Sequence, residues 1–182
     1  MRSRQISGTV ILGAMAAVLE ILPIDIPFYK FLTIDITGVP LLLALYIFGL
    51  PSAVSSTLIA SFVIALPRPP FKGPNPYGAF FKGLAELSTI AGVYLSRRFW
   101  KDTKWFILSS FIFGSIIRAI VMCMANYTIT PVLYGMPYSY ILAIMPIIAI
   151  FNIIQTAVNV VLAVPIYEKI KVHLSSLISS SQ

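Results

Sequence analysis

Apolar residues in this chain come in long runs broken by short polar patches, a pattern that predicts buried or lipid-facing helices rather than half-exposed strands. The first run extends from Ile6 to Leu22 and stops at Pro23. Ile24 to Thr37 then mixes charged residues, prolines and aromatics too densely for a helix facing lipid, which predicts a long structured loop. Gly38 to Phe48 and Ser52 to Leu66 are two further runs divided by Gly49-Leu50-Pro51. Each is short for a full crossing, so two short or tilted helices meeting at a tight turn are expected. Pro67 to Tyr77, rich in proline, cannot propagate a helix and is expected as an exposed loop. A fourth run, Gly78 to Leu95, ends at a basic cluster, and a fifth covers Trp105 to Ala125. A loop of Tyr, Pro and Gly leads to the sixth, Ser139 to Ile166, and a polar Ser-rich tail follows.

Composition turns this pattern into a fold class. Of 182 residues, 58% are hydrophobic and 10% charged, too few to give a soluble domain of this size a polar surface. A hydrocarbon core of about 30 Å takes about 20 apolar residues per helix. The expectation is an all-α integral membrane protein: one domain over residues 1–182, six transmembrane helices, a short and partly broken second and third helix, and structured outer loops. The net charge of +7 does not point to nucleic acid, because the basic residues sit at the edges of apolar runs and act as orientation signals. Arg2, Arg4, Arg97, Arg98, Lys101, Lys104, Lys169 and Lys171 fall on one side, against Lys30, Arg68 and Lys72 on the other. The positive-inside rule then places the chain as a multi-pass protein of the cell membrane with both termini cytoplasmic.

Several chemistries lack their parts. Cys123 is the single cysteine, so the sequence offers no Cys/His metal cluster. It carries no phosphate loop, no H-E-x-x-H and no G-x-S-x-G, and the lone His173 sits in a terminal basic segment, so an enzyme is not expected. Ionisable groups at membrane depth cost about 2.5–3.5 kcal/mol each on insertion scales, which singles out Lys82, Glu86 and Arg118. Lys82 and Glu86, one turn apart, are placed to neutralise each other, either as a structural pair joined by Arg118 or as the lining of a polar cavity. Asn152, Gln155, Thr156 and Asn159 form one helical stripe. Asn152 and Gln155 are read as ligand contacts and Asn159 as helix packing, with Asn126, just past the fifth span, near the same end. Gly13, Ala14, Ala16 and Ala17 make a small-residue patch suited to close helix approach, from this chain or from a partner.

Phe31 to Pro40, Phe48-Gly49-Leu50-Pro51, Val121 to Tyr127, Pro131 to Gly135 and Pro146 to Asn152 together resemble the substrate-binding S components of energy-coupling factor (ECF) vitamin transporters, most closely the riboflavin-specific members. The resemblance implies a protein that captures its vitamin from outside under outer loops. It implies partners as well, one transmembrane coupling protein and two ATPase subunits, with Gly13, Ala14 and Ala17 as the docking face. Riboflavin would be the transported ligand and not a cofactor. Asn126 and Asn152 match positions that hydrogen-bond the isoalloxazine ring, and Ile34, Asp35 and Thr37 would supply wall and backbone contacts. This chain departs from that pattern with Gln155 in place of a common Lys, and with Lys82 and Glu86 in a segment that tends to be neutral. An S component for another vitamin therefore stays open. So does a self-sufficient ion-coupled carrier of a small organic solute, with Lys82, Glu86 and Arg118 as its relay.

Overall fold

A computed structural model of the chain describes residues 3–22, 24–30, 32–67, 73–100 and 105–179, with side chains as far as 172. Its helices are α1 (Ser3–Ile21), α2 (Gly38–Phe48), α3 (Leu50–Ala65), α4 (Pro76–Trp100), α5 (Phe106–Tyr134) and α6 (Tyr138–Ser179). Between α1 and α2 lies a hairpin of β1 (Ile26–Tyr29) and β2 (Leu32–Ile34), antiparallel, with Ile26 opposite Ile34 and Pro27 opposite Thr33. The loop expected there is thus partly strand, the one exception to the all-α reading among the described residues. Arg2, Arg68, Lys72, Lys101, Lys104 and the side chain of His173 lie outside the described residues.

The helices alternate in direction, so the start of α1 and the end of α6 lie at one end of the bundle. Side chains fix that end: Gln5 Nε2 donates to the Phe48 carbonyl at 3.1 Å and to Ser52 Oγ at 3.2 Å, tying the start of α1 to the α2–α3 turn. Arg97 Nη1 donates to the Leu45 carbonyl at 2.7 Å, and the Tyr46 ring meets Phe106 and Tyr167 at centroid distances of 5.8 and 5.2 Å. The hairpin closes the opposite end. Three helices, Ser3–Ile21, Phe106–Tyr134 and Tyr138–Val172, are long and apolar enough to cross a membrane by themselves. The exposed face of the bundle carries large apolar side chains such as Ile11, Phe62, Ile116, Met124 and Val132, as a lipid solvent requires.

Helix α2 behaves differently from these. Every residue from Gly38 to Tyr46 is buried, so this helix, apolar all round, is enclosed by α1, α3, α4 and α6 and does not face lipid. Its end at Gly49 has φ 91°, a conformation open to glycine, and Pro51 opens α3 where a missing N–H costs nothing. Around α2 the terminal half of the bundle is filled by Leu41, Leu42, Leu45, Ile90, Val93, Phe106, Val160 and Val164. Backbones touch there: a Cβ on Gly92 of α4 would fall 2.5 Å from the Phe113 carbonyl oxygen and 2.7 Å from Gly114 Cα of α5. Contact this close is what holds helices together where no hydrophobic drive acts between them.

Helix boundaries differ from expectation at several places, most of all on α4, α5 and α6. The fifth helix runs through Asn126 and Pro131 to Tyr134, because Thr128 Oγ1 bonds back to the Met124 carbonyl at 2.8 Å and Gly135, in the left-handed region, provides the stop. The fourth begins at Pro76, with Asn75 Oδ1 accepting from the Gly78 N–H at 2.9 Å as a helix cap. The sixth continues as helix to Ser179, through the stretch expected as tail.

Candidate functional site

The buried charged groups of α4 and α5 gather with amides of α6 above the apolar half. Arg118, 2% exposed, donates from Nη1 to Glu86 Oε1 and to Thr89 Oγ1, and from Nε to Asn152 Oδ1, each at 2.9 Å. Asn159 Nδ2 donates to the other Glu86 oxygen at 3.2 Å. One carboxylate on α4 is thereby held by α5 and α6 together. Gly38 lies so close to Glu86 and Asn159 that a side chain there has no room, which brings the start of α2 onto this layer.

A second group sits beside it. Lys82 bonds the Asp35 carboxylate and lies 3.3 Å from Glu20 Oε2. Asp35 Oδ1 accepts from the Thr37 N–H at 2.8 Å, and Thr37 Oγ1 donates to Glu20 at 3.2 Å. Gln155 grips the Asp35 backbone from both sides, accepting its N–H at 3.2 Å and donating to its carbonyl at 2.8 Å. The expectation that Lys82 and Glu86 neutralise each other is therefore corrected: both lie on one face of α4, but each takes its salt bridge to a group from another element. Tertiary partners prevail because both groups are withdrawn from water, where one well-placed opposite charge outweighs an i, i+4 pair worth about 0.2–0.5 kcal/mol.

Above these layers, at the hairpin end, is a cavity of about 710 Å³, large enough for a drug-sized ligand. Of the residues singled out in the sequence, Asp35, Lys82, Asn126 and Asn152 line it. Glu86, Gln155, Thr37 and Ile34 do not; the first three bond residues of the wall from behind, and Ile34 belongs to the hairpin. Arg118, expected to join Lys82 and Glu86, lines it too, and so do Glu20, Asp25, Thr130 and the apolar or aromatic Phe81, Met122, Tyr134 and Phe151, none of which the sequence reading assigned to a site. For Glu20 a signal existed, since it is the only acidic residue of the first span. Asn126 Nδ2 bonds the Met122 carbonyl and Asn152 Nδ2 the Ile148 carbonyl, each at 2.8 Å. Each amide is thus pinned one turn back along its own helix and keeps a second N–H for a ligand.

The sequence matches the model of the ECF transporter substrate-specific component over residues 4–167. The chain belongs to that family. It is 30% identical over 129 residues to the riboflavin transporter RibU of Staphylococcus aureus (strain TCH60), a match that covers 70% of this chain and 66% of that protein, just under two thirds of its length. The fold is similar to a solved S component of a bacterial ECF transporter, with a TM-score of 0.77 and 27% identity over 96% of this chain and 99% of the other.

In this S component the small-residue patch of α1 is divided between two faces. Gly13, Ala16 and Ala17 are buried, and a Cβ on Gly13 would lie 2.9 Å from the Ser56 carbonyl oxygen of α3. The same contact is sealed by Ser56 Oγ donating to the Thr9 carbonyl at 2.8 Å. Gly13 and Ala17 therefore serve packing within the chain, which corrects their reading as a face open to a partner. Ala14 alone of the patch is exposed.

Proposed function

We propose that this ECF S component binds riboflavin in the cavity at the hairpin end and presents it to the rest of an uptake transporter. The observation that carries the reading is the pair of pinned amides, Asn126 and Asn152, facing one cavity whose wall also presents Phe81, Tyr134 and Phe151. A flat heteroaromatic ring with carbonyl acceptors suits such a wall: aromatic side chains cover its faces and the free N–H groups fix its orientation. The name of the Staphylococcus aureus relative points to the same ligand.

The partners in this reading are a transmembrane coupling protein and two ATPase subunits. Both termini are cytoplasmic, with Arg4, Arg97, Arg98, Lys169 and Lys171 at the terminal end, so the cavity opens outward. The exposed face of α1 around Ala14 is where the coupling protein docks, since a small side chain on a lipid-facing helix allows close approach.

Titration of riboflavin into purified protein tests the ligand. Quenching of flavin fluorescence with nanomolar to low-micromolar affinity, weakened in Asn126→Ala and Asn152→Ala, is expected. Folded protein that leaves the fluorescence of tens of micromolar riboflavin unchanged overturns the assignment. Uptake into proteoliposomes by this chain alone, driven by a pH gradient and blocked by Glu86→Gln, overturns the dependence on partners and restores the self-sufficient carrier.

A further inference from the structure

Gln155 of α6 has no hydrogen left for a ligand. Its Oε1 accepts the Asp35 N–H at 3.2 Å, and its Nε2 hydrogens go to the Asp35 carbonyl at 2.8 Å and to Asn159 Oδ1 at 3.3 Å. The side chain is 0% exposed and lies behind the cavity wall. What it holds is the joint between β2, which ends at Ile34, and α2, which begins at Gly38. Asp35 stands in that joint and lines the cavity together with Leu32 and Thr33 of the strand. Its carboxylate is taken by Lys82 of α4 and by the Thr37 N–H. The hairpin meets α6 at two further points, Phe28 against Phe151 at a centroid distance of 5.7 Å and Lys30 on the Tyr140 hydroxyl. The Lys30 bond is exposed to water, whereas the Gln155 bonds are buried, where water does not replace a hydrogen bond that is lost.

We infer that Gln155 is a positioning residue for the ligand: it holds the base of the hairpin in place through the Asp35 peptide before the ligand arrives, and touches no ligand atom itself. This rests on the flavin reading above. A glutamine side chain suits the task because its amide carries the donor and the acceptor of a peptide group. It pairs with both the N–H and the C=O of one residue, as the opposite residue of an antiparallel strand does. Without it both Asp35 groups are buried and unpaired, and the peptide turns toward other partners. Part of the population then has a wall unfit to receive a ligand, and the apparent affinity falls with the fraction that remains fit. In the bound protein the wall is in place, so the loss falls on association. A side chain that touches the ligand has the opposite signature, because losing a contact speeds dissociation.

The test is equilibrium and stopped-flow titration of riboflavin into the full chain in detergent, read by flavin fluorescence, on the wild type, Gln155→Met and Gln155→Glu. The first substitution keeps the length of the side chain and loses both bonds; the second keeps an acceptor for the Asp35 N–H and, ionised, has no hydrogen for the carbonyl. Gln155→Met is expected to weaken binding about tenfold, with association slowed about fivefold and dissociation changed by no more than about twofold. Gln155→Glu is expected to shift the same rate in the same direction. Unchanged affinity in the folded variants, or a loss carried by faster dissociation, overturns the positioning role and leaves the flavin reading standing. An equal loss in Gly92→Ala, which loosens the other half of the bundle, overturns it as a mere effect of stability. So does failure of both Gln155 variants to fold. Wild-type protein that does not bind riboflavin overturns the flavin reading, and the positioning role with it.

Discussion

The two halves of the bundle are built by opposite rules, and α2 belongs to one of them alone. Toward the terminal end, α2 is enclosed on all sides, aliphatic residues fill the centre, and α4 and α5 touch backbone to backbone at Gly92. Toward the hairpin end α1, α3, α4, α5 and α6 spread around a 710 Å³ cavity whose wall is rich in charge and amide. Between them lies a layer of bonded polar groups, Arg118, Glu86, Asn159 and Gln155, of which Arg118 also reaches the cavity wall. The contrast teaches that stability and recognition are separated along the bundle axis. Damage to one half should be readable apart from damage to the other, except in the layer that joins them.

The largest effect is expected in that layer. Arg118→Met leaves Glu86 as a buried carboxylate without its cation, a loss of about 3–5 kcal/mol in unfolding experiments in detergent. Adding Glu86→Gln should recover most of it; a double variant as unstable as the single would mean that the arginine acts through packing. In the terminal half, Gly92→Ala forces α4 and α5 apart and should cost about 1–3 kcal/mol of stability. Riboflavin affinity of the protein that remains folded should stay within about twofold, and a larger loss would break the separation of the two halves.

Asn126→Ala probes the other half and should reverse those readouts. Affinity is expected to fall about tenfold, or 1.4 kcal/mol, by fluorescence titration, with stability changed by less than that. The smallest effect is expected at the hairpin. Lys30 Nζ donates to the Tyr140 hydroxyl at 2.6 Å and lies 4.9 Å from the centre of that ring, linking the hairpin to α6, while Leu32 and Thr33 line the cavity. Because the pair is exposed, Lys30→Ala should speed riboflavin release only about two- to fivefold in stopped-flow measurements. An unchanged release rate would show that the hairpin is held by its other contacts.

The sequence made the terminal half more legible than the cavity, and particular residues show why. The bounds of α2 are as expected, since Gly49 and Pro51 punctuate the chain locally and a helix end is a local event. The end of α5 was missed because Asn126, Thr128, Thr130 and Pro131 have the composition of a loop; their polarity answers a cavity and their own helix, neither visible in a linear pattern. The stop signal was present at Gly135. The partners of Lys82 and Glu86 were missed for a related reason. Asp35 and Arg118 lie 47 and 32 residues away, and the i, i+4 rule sees one helix at a time. The resemblance to the family carried Asn126, Asn152 and Asp35 into the wall, and the cost of a charge at membrane depth pointed to Lys82 and Arg118, but Glu20 and Asp25 had to be found in three dimensions.

The shortness of α2 has a consequence for how far a bound solute still has to go. Eleven helical residues rise about 16 Å, roughly half of a 30 Å hydrocarbon core, and the cavity takes the place of the missing half of the axis. A molecule seated there lies above the short helix, about halfway along the bundle axis. What remains beneath it is a single short post whose only polar side chain is that of Tyr46, packed among aromatic rings. Such a post gives a hydrophilic solute no ladder of contacts to descend.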